Sequence, residues 1–189
     1  NIADGPSTMG GDPSFGGAET GTQAAPFTTI AAALAAVPSG GRVALAAGDY
    51  DEPVVIDKPL ELVGRCPSMV TIRGTTTDFG PPVIVAVWDT AGVMVRGVRS
   101  SGAGVGVLVL DAEVTLQRCA VQQSTEVGVA AVGAATVVAI EHSLVAGTLP
   151  RPSNQSFGHG IDALDGARVT VVASALSANH EAGVWASDA

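Results

Sequence analysis

Three histidines, His142, His159 and His180, are the side chains best suited to moving protons in this sequence. None lies in a metal-ligand spacing such as His-x-x-x-His with a nearby carboxylate. His142 ends a β-type run, whereas His159 and His180 each come shortly before one, Gly160-Ile-Asp-Ala-Leu164 and Gly183-Val-Trp-Ala-Ser187. If these two runs stack, both imidazoles fall on one side near Asp162 and Glu181, with Arg151 on the preceding loop. Carboxylates, imidazoles and a guanidinium gathered this way can act as acid and base. The same residues also fit a solvated turn region, and Gly158-His159-Gly160 alone fits turn chemistry. The candidate catalytic residues are therefore His159, His180, Asp162, Glu181 and Arg151. Trp88, Trp185 and Asp162 are the candidate binding residues, and no metal site is expected.

The elements that position these residues show themselves as a repeat. Five blocks align: Ile84–Trp88, Gly106–Leu110, Gly128–Val132, Gly160–Leu164 and Gly183–Ser187, with starts 22, 22, 32 and 23 residues apart. Each is followed by Asp89, Asp111, Gly133, Asp165 or Asp188. Second runs follow at Val93–Val95, Val114–Leu116, Val138–Ile140 and Val169–Val171, and an earlier coil fits with Asp57 and Leu60–Leu62. Beyond them, Val98, Cys119, Ser143 and Ser174 form a further ladder. A coil of this length cannot bury its own apolar face, so equivalent runs must stack about 4.8 Å apart as parallel strands. Asp and Gly tolerate the left-handed region, which explains the turn position better than a cation ladder that Gly133 would break. The longer step carries an insertion, Thr148 to Ser156, expected to bulge outward.

Alternation assigns faces. Val85/Val87, Val107/Val109, Val129/Ala131, Ile161/Ala163 and Val184/Ala186 should point inward, leaving Ala86/Trp88, Leu108/Leu110, Ala130/Val132, Asp162/Leu164 and Trp185/Ser187 outward. An outward face this apolar is either covered by residues 1–25 or the 148–158 loop, or serves as a partner or sugar-stacking surface. Ile30, Leu34 and Val37 share one helix face, with Thr28 or Thr29 as cap and Pro38-Ser39-Gly40-Gly41 as stop. Residues 1–25 read as a linker or extended lead-in and 26–189 as the solenoid, truncated or uncapped at its C-terminal end.

Composition narrows the partners. The net charge of −9, with Lys58 as the one lysine, argues against nucleic acid. The longest uncharged apolar stretch, Val127 to Ile140, is 14 residues, short of the ~20 that span a bilayer. Cys66 and Cys119 sit two coil rises apart, about 9.6 Å, beyond the ~7 Å a disulfide tolerates. Both are expected free, with Cys119 buried.

Pro26-Phe27-Thr28-Thr29-Ile30 with Ala33-Leu34, Gly48-Asp49-Tyr50, Glu52–Ile56 and Lys58–Gly64 resemble the opening of right-handed parallel β-helices of the pectin-lyase-like superfamily. The resemblance implies an all-β, right-handed parallel β-helix of about five to six coils with an N-terminal capping α-helix. It implies no single activity, since lyases, hydrolases, esterases and epimerases share the fold. The signatures of those activities are not matched. Val184-Trp185-Ala186-Ser187-Asp188 departs from a lyase Trp-Ile-Asp-His strand, and Arg151-Pro152 has no second arginine. Gly158-His159-Gly160 matches a polygalacturonase motif, but the upstream aspartates that accompany it are missing.

The expectation is a non-catalytic, exported (secreted or cell-surface) scaffold or glycan- or partner-binding domain without cofactor. The alternative is a polysaccharide-active lyase or hydrolase of acidic glycans. The acidic surface would repel such a substrate unless Ca²⁺ bridged it. Self-association through the apolar outward face or the open C-terminal end is a further expectation.

Overall fold

The computed structural model describes residues 8–188. Each of six coils contributes one strand to each of three parallel sheets, giving a right-handed parallel β-helix. The first sheet holds Gly41–Leu45, Leu60–Val63, Val93–Arg96, Glu113–Gln117, Val137–Glu141 and Arg168–Val172. The second holds Val54–Ile56, Val83–Trp88, Val105–Leu110, Val127–Val132, His159–Leu164 and Val184–Ser187. The third holds Gly48–Tyr50, Val70–Ile72, Arg99–Ser101, Ala120–Gln122, Leu144–Ala146 and Ala175–Ser177.

The aligned blocks are the true register. Val85 pairs with Val107, Val107 with Val129, Val129 with Ile161 and Ile161 with Val184. In the first sheet Leu62 pairs with Val95, Val114 with Val93 and Val138, and Val138 with Val169. Inward residues of all three sheets join one core, including Val85, Val87, Val107, Val109, Val129 and Ala131. Gly128 is required where its strand passes close to the neighbouring coil. A Cβ there would lie 2.5 Å from the Gly160 carbonyl oxygen and 2.7 Å from Val145 Cγ1.

The expected left-handed turn is present at four positions, with φ of 47° at Asp89, 44° at Asp111, 99° at Gly133 and 55° at Asp165, whereas Asp57 and Asp188 do not share it. A second left-handed corner holds Gly97, Arg118, His142 and Ala173, so His142 serves a bend. One residue beyond that corner, the ladder stitches coils together. Ser143 Oγ accepts from the Cys119 N–H and Ser174 Oγ from the Ser143 N–H, both at 3.0 Å. Cys119 is buried and Cys66 half-buried, and both are free thiols.

The helix spans Ile30–Ala36, with Thr29 Oγ1 accepting from the Ala32 N–H at 3.1 Å. The Glu52 carboxylate accepts from the Ile30 and Ala31 N–H groups, satisfying two more first-turn donors. Ile30, Ala33, Leu34 and Val37 are buried against the first coil. Thr8–Gly11 extends the first sheet by pairing with Gly41–Leu45. The described part of the N-terminal segment thus packs on the first coil and the helix, and the second sheet is covered by other residues. Residues 1–7 lie outside the described residues. In the sixth coil Val171 and Val184 occupy core-facing register positions and are exposed.

Candidate functional site

The outward face of the second sheet is a second apolar cluster, separate from the solenoid core. Val83, Ala86, Val105, Leu108, Val127 and Ala130 are buried in it, and Phe79 from the loop preceding Val83 packs on them with Leu110 and Val132. Phe79 of the 73–82 connection therefore covers part of this face, and the 147–158 connection, through Phe157, covers its His159 end. Trp88 and Trp185 remain half in solvent at opposite ends, 41% and 49% exposed.

Chemistry enters at the fifth coil, where the outward positions change type. His159 pairs in register with Val127, Asp162 with Ala130, and Trp185 with Asp162. His159 and Asp162 are only 5% and 4% exposed. Their bond, His159 Nδ1 to Asp162 Oδ1, is 2.7 Å long. On the other side of the ring, Nε2 lies 3.5 Å from Glu181 Oε2. Trp185 stacks over the imidazole at 5.3 Å with 14° between planes, and Phe157 tilts against it at 5.7 Å.

The 147–158 connection walls this site. Arg151 accepts from the Gln155 N–H and donates its own N–H to Ser156, folding the loop back. The Arg151 guanidinium pairs with Glu126 Oε2 at 2.8 Å and lies 4.6 Å above the Phe157 ring. His180 Nδ1 donates to the Phe157 carbonyl at 3.2 Å, so it braces the loop. Gly158 is left-handed at φ 93°, and a Cβ there would lie 2.6 Å from His180 Cβ. The glycine before His159 is thus a packing requirement of the loop.

All five candidate acid/base residues converge, in two tiers. Asp162, His159 and Glu181 form a line of contacts, while Arg151 and His180 hold the loop around it. Burial pushes the Asp162 carboxyl above its ordinary value, His159 pulls it back, and Glu181 adds to the rise. Both imidazole nitrogens face carboxylates, which fixes the orientation of the ring beneath Trp185. Trp88 lies coils away, in register with Leu110. Among the described residues no three His, Cys, Asp or Glu side chains form a group that could hold a metal ion.

Glu126 and Phe157 also belong to the site. The available signal for Glu126 was its place two residues before Gly128, matching Gly158 before Gly160; the Gly158 and His159 N–H groups donate to its carbonyl.

The described chain superimposes on pectate lyase Pel9A with a TM-score of 0.81 over 96% of its length, at 15% identity. The two share a right-handed parallel β-helix fold. Pectin methylesterase PemA from Erwinia chrysanthemi and pectin methylesterase from carrot each give a TM-score of 0.51, at 11% and 16% identity and over 92% and 93% of this chain. The chain spans 50% of the pectate lyase and 66% and 65% of the two esterases. A family model described as a protein of unknown function (DUF1565) matches residues 14–94, the helix and first coils. No curated protein sequence matches.

Proposed function

We propose that this chain is a non-catalytic, exported β-helix domain that binds a glycan on the outward face of its second sheet. The observation that carries this reading is the Trp185 platform. One indole face is stacked on His159, which Asp162 anchors from below, and the residue is 49% exposed. An aromatic plane held in place before binding lets a sugar ring dock without ordering cost. Asp162 and Glu181 beside it, on a chain of net charge −9, favour a neutral glycan over an acidic one. The likeness to enzymes named for pectate and pectin supports a carbohydrate ligand and an extracellular setting.

The expected result is that neutral oligosaccharides perturb Trp185 fluorescence and that Trp185→Ala abolishes binding with the fold intact. Equal binding by Trp185→Ala would overturn the proposal. The second reading, an enzyme acting on acidic glycans, draws on the short His159–Asp162 bond near Arg151. It requires chain cleavage in depolymerisation assays with or without Ca²⁺, lost in His159→Gln.

A further inference from the structure

A second site lies on a different edge of the solenoid, at the corner where the first sheet turns into the third. A groove of about 350 Å³ runs there between coils, lined by Val63, Gly64, Arg65, Cys66, Arg96 and Arg118, among others. Gly64 and Gly97 form its floor. A Cβ on Gly97 would lie 2.5 Å from the Gly64 carbonyl oxygen, and a Cβ on Gly64 would clash with the Gly97 carbonyl. The two coils therefore meet backbone to backbone, and the space above them stays open.

Three of the chain's eight arginines rim this one groove, on a chain of net charge −9. Arg65, Arg96 and Arg118 come from consecutive coils, so the corner presents about one cation per 4.8 Å rise. Arg96 shares Glu61 with Arg42, at 3.0 Å and 2.6 Å, leaving that trio with one net positive charge. Among the described residues, Arg65 and Arg118 form no ion pair with a carboxylate. Guanidinium groups bind oxyanions through paired N–H donors, and several converging cations select for more than one negative charge.

We infer that this corner groove binds a polyvalent oxyanion, a ligand carrying phosphate or sulfate groups, through Arg65, Arg96 and Arg118. Cys66 supplies a built-in reporter. Its thiol lies in the groove lining, and a hydrogen bond with Ser68 holds its pKa below the usual thiol value. Cys119 is buried, so alkylation of the native protein reads Cys66 alone.

The test is the rate of Cys66 alkylation by uncharged iodoacetamide, with and without inorganic pyrophosphate or a disulfated disaccharide. At low ionic strength either anion should slow alkylation several-fold, and added NaCl should reverse the protection. The unsulfated disaccharide should have no effect. Protection by one anion and not the other separates a phosphate-bearing from a sulfate-bearing ligand. Arg65→Ala with Arg118→Ala should abolish protection while melting with the parent, because no ion pair is lost. The double Lys variant should keep part of it, as point charges without the fork. Equal protection in the double Ala variant, or no protection of the parent by either anion, would overturn the inference.

Discussion

Replacing Asp162 by alanine removes the carboxyl group that holds the buried His159 ring. The two side chains are 6% accessible each and bonded at 2.7 Å, so water cannot substitute for the missing partner. An unsatisfied buried polar group costs ~1–3 kcal/mol, and a buried ion pair broken on one side costs ~3–5 kcal/mol. The expected loss for Asp162→Ala is therefore about 2–4 kcal/mol. At ~2–4 °C per kcal/mol for a chain of this size, the midpoint should fall by roughly 5–15 °C. His159→Phe keeps an aromatic ring under Trp185 but strands the carboxyl, at a similar cost. The double variant removes both polar groups and should cost less than the sum, giving a coupling of about 1–3 kcal/mol. Urea unfolding of the four proteins measures that coupling.

The pH dependence adds a second readout. Asp162 is held above its ordinary pKa, so the folded protein binds its proton more tightly than the unfolded chain does. The stability from this group grows as pH falls through the raised folded pKa toward the ordinary aspartate value, and is lost as pH rises again. His159→Phe removes the opposing pull of the imidazole, so the variant should be more stable near about pH 5 than near about pH 7 relative to the parent. A coupling below about 0.5 kcal/mol with parallel pH profiles would show that the His159–Asp162 bond does not organise the site.

Other substitutions test the scaffold. Leu34→Asp places a charge at an 8%-exposed position on the helix that covers the first coil, and should cost about 3–5 kcal/mol in a thermal melt. Gly128→Ala forces a methyl group to 2.5 Å from the Gly160 carbonyl and should cost about 2–4 kcal/mol, whereas Asp111→Gly, at φ 44°, should change stability by under ~1 kcal/mol. Burial raises the Cys119 thiol to about 11 from 9.0, so folding should lose roughly 3 kcal/mol as pH climbs between those values. Cys119→Ser should abolish that alkaline loss in a pH series of melts, with its hydroxyl facing the Val95 and Gln117 carbonyls that the thiol now meets.

The register of the second sheet could be read from the repeat because stacking puts equivalent residues in the same surroundings in every coil. Gly106, Gly128 and Gly160 recur for that reason: each would drive a Cβ into a carbonyl of the next coil or its neighbours. The left-handed turns at Asp89, Asp111, Gly133 and Asp165 follow the same logic. The third sheet left no comparable trace. Its strands are three residues long, and from the third coil onward each centres on one inward residue, as with Ser100, Val121 or Val145, so no alternation can develop. Thr8–Gly11 was equally silent, because its pairing partner begins at Arg42 and the run Thr-Met-Gly-Gly carries no pattern of its own.

At the candidate site the division is similar. Repeat spacing alone places His159, Asp162, Glu181 and Trp185 on neighbouring coils, since each coil rises by one strand separation. That His159 lies flat beneath Trp185, and that Arg151 turns to Glu126 and Phe157 while His180 braces the loop, depends on how the 147–158 segment folds over the sheet. Those contacts join residues far apart in the chain, Arg151 to Glu126 and His159 to Trp185 among them, through side-chain rotamers and one irregular loop. Neither obeys the two-residue period that made the strands visible, so only the packed coils decide them.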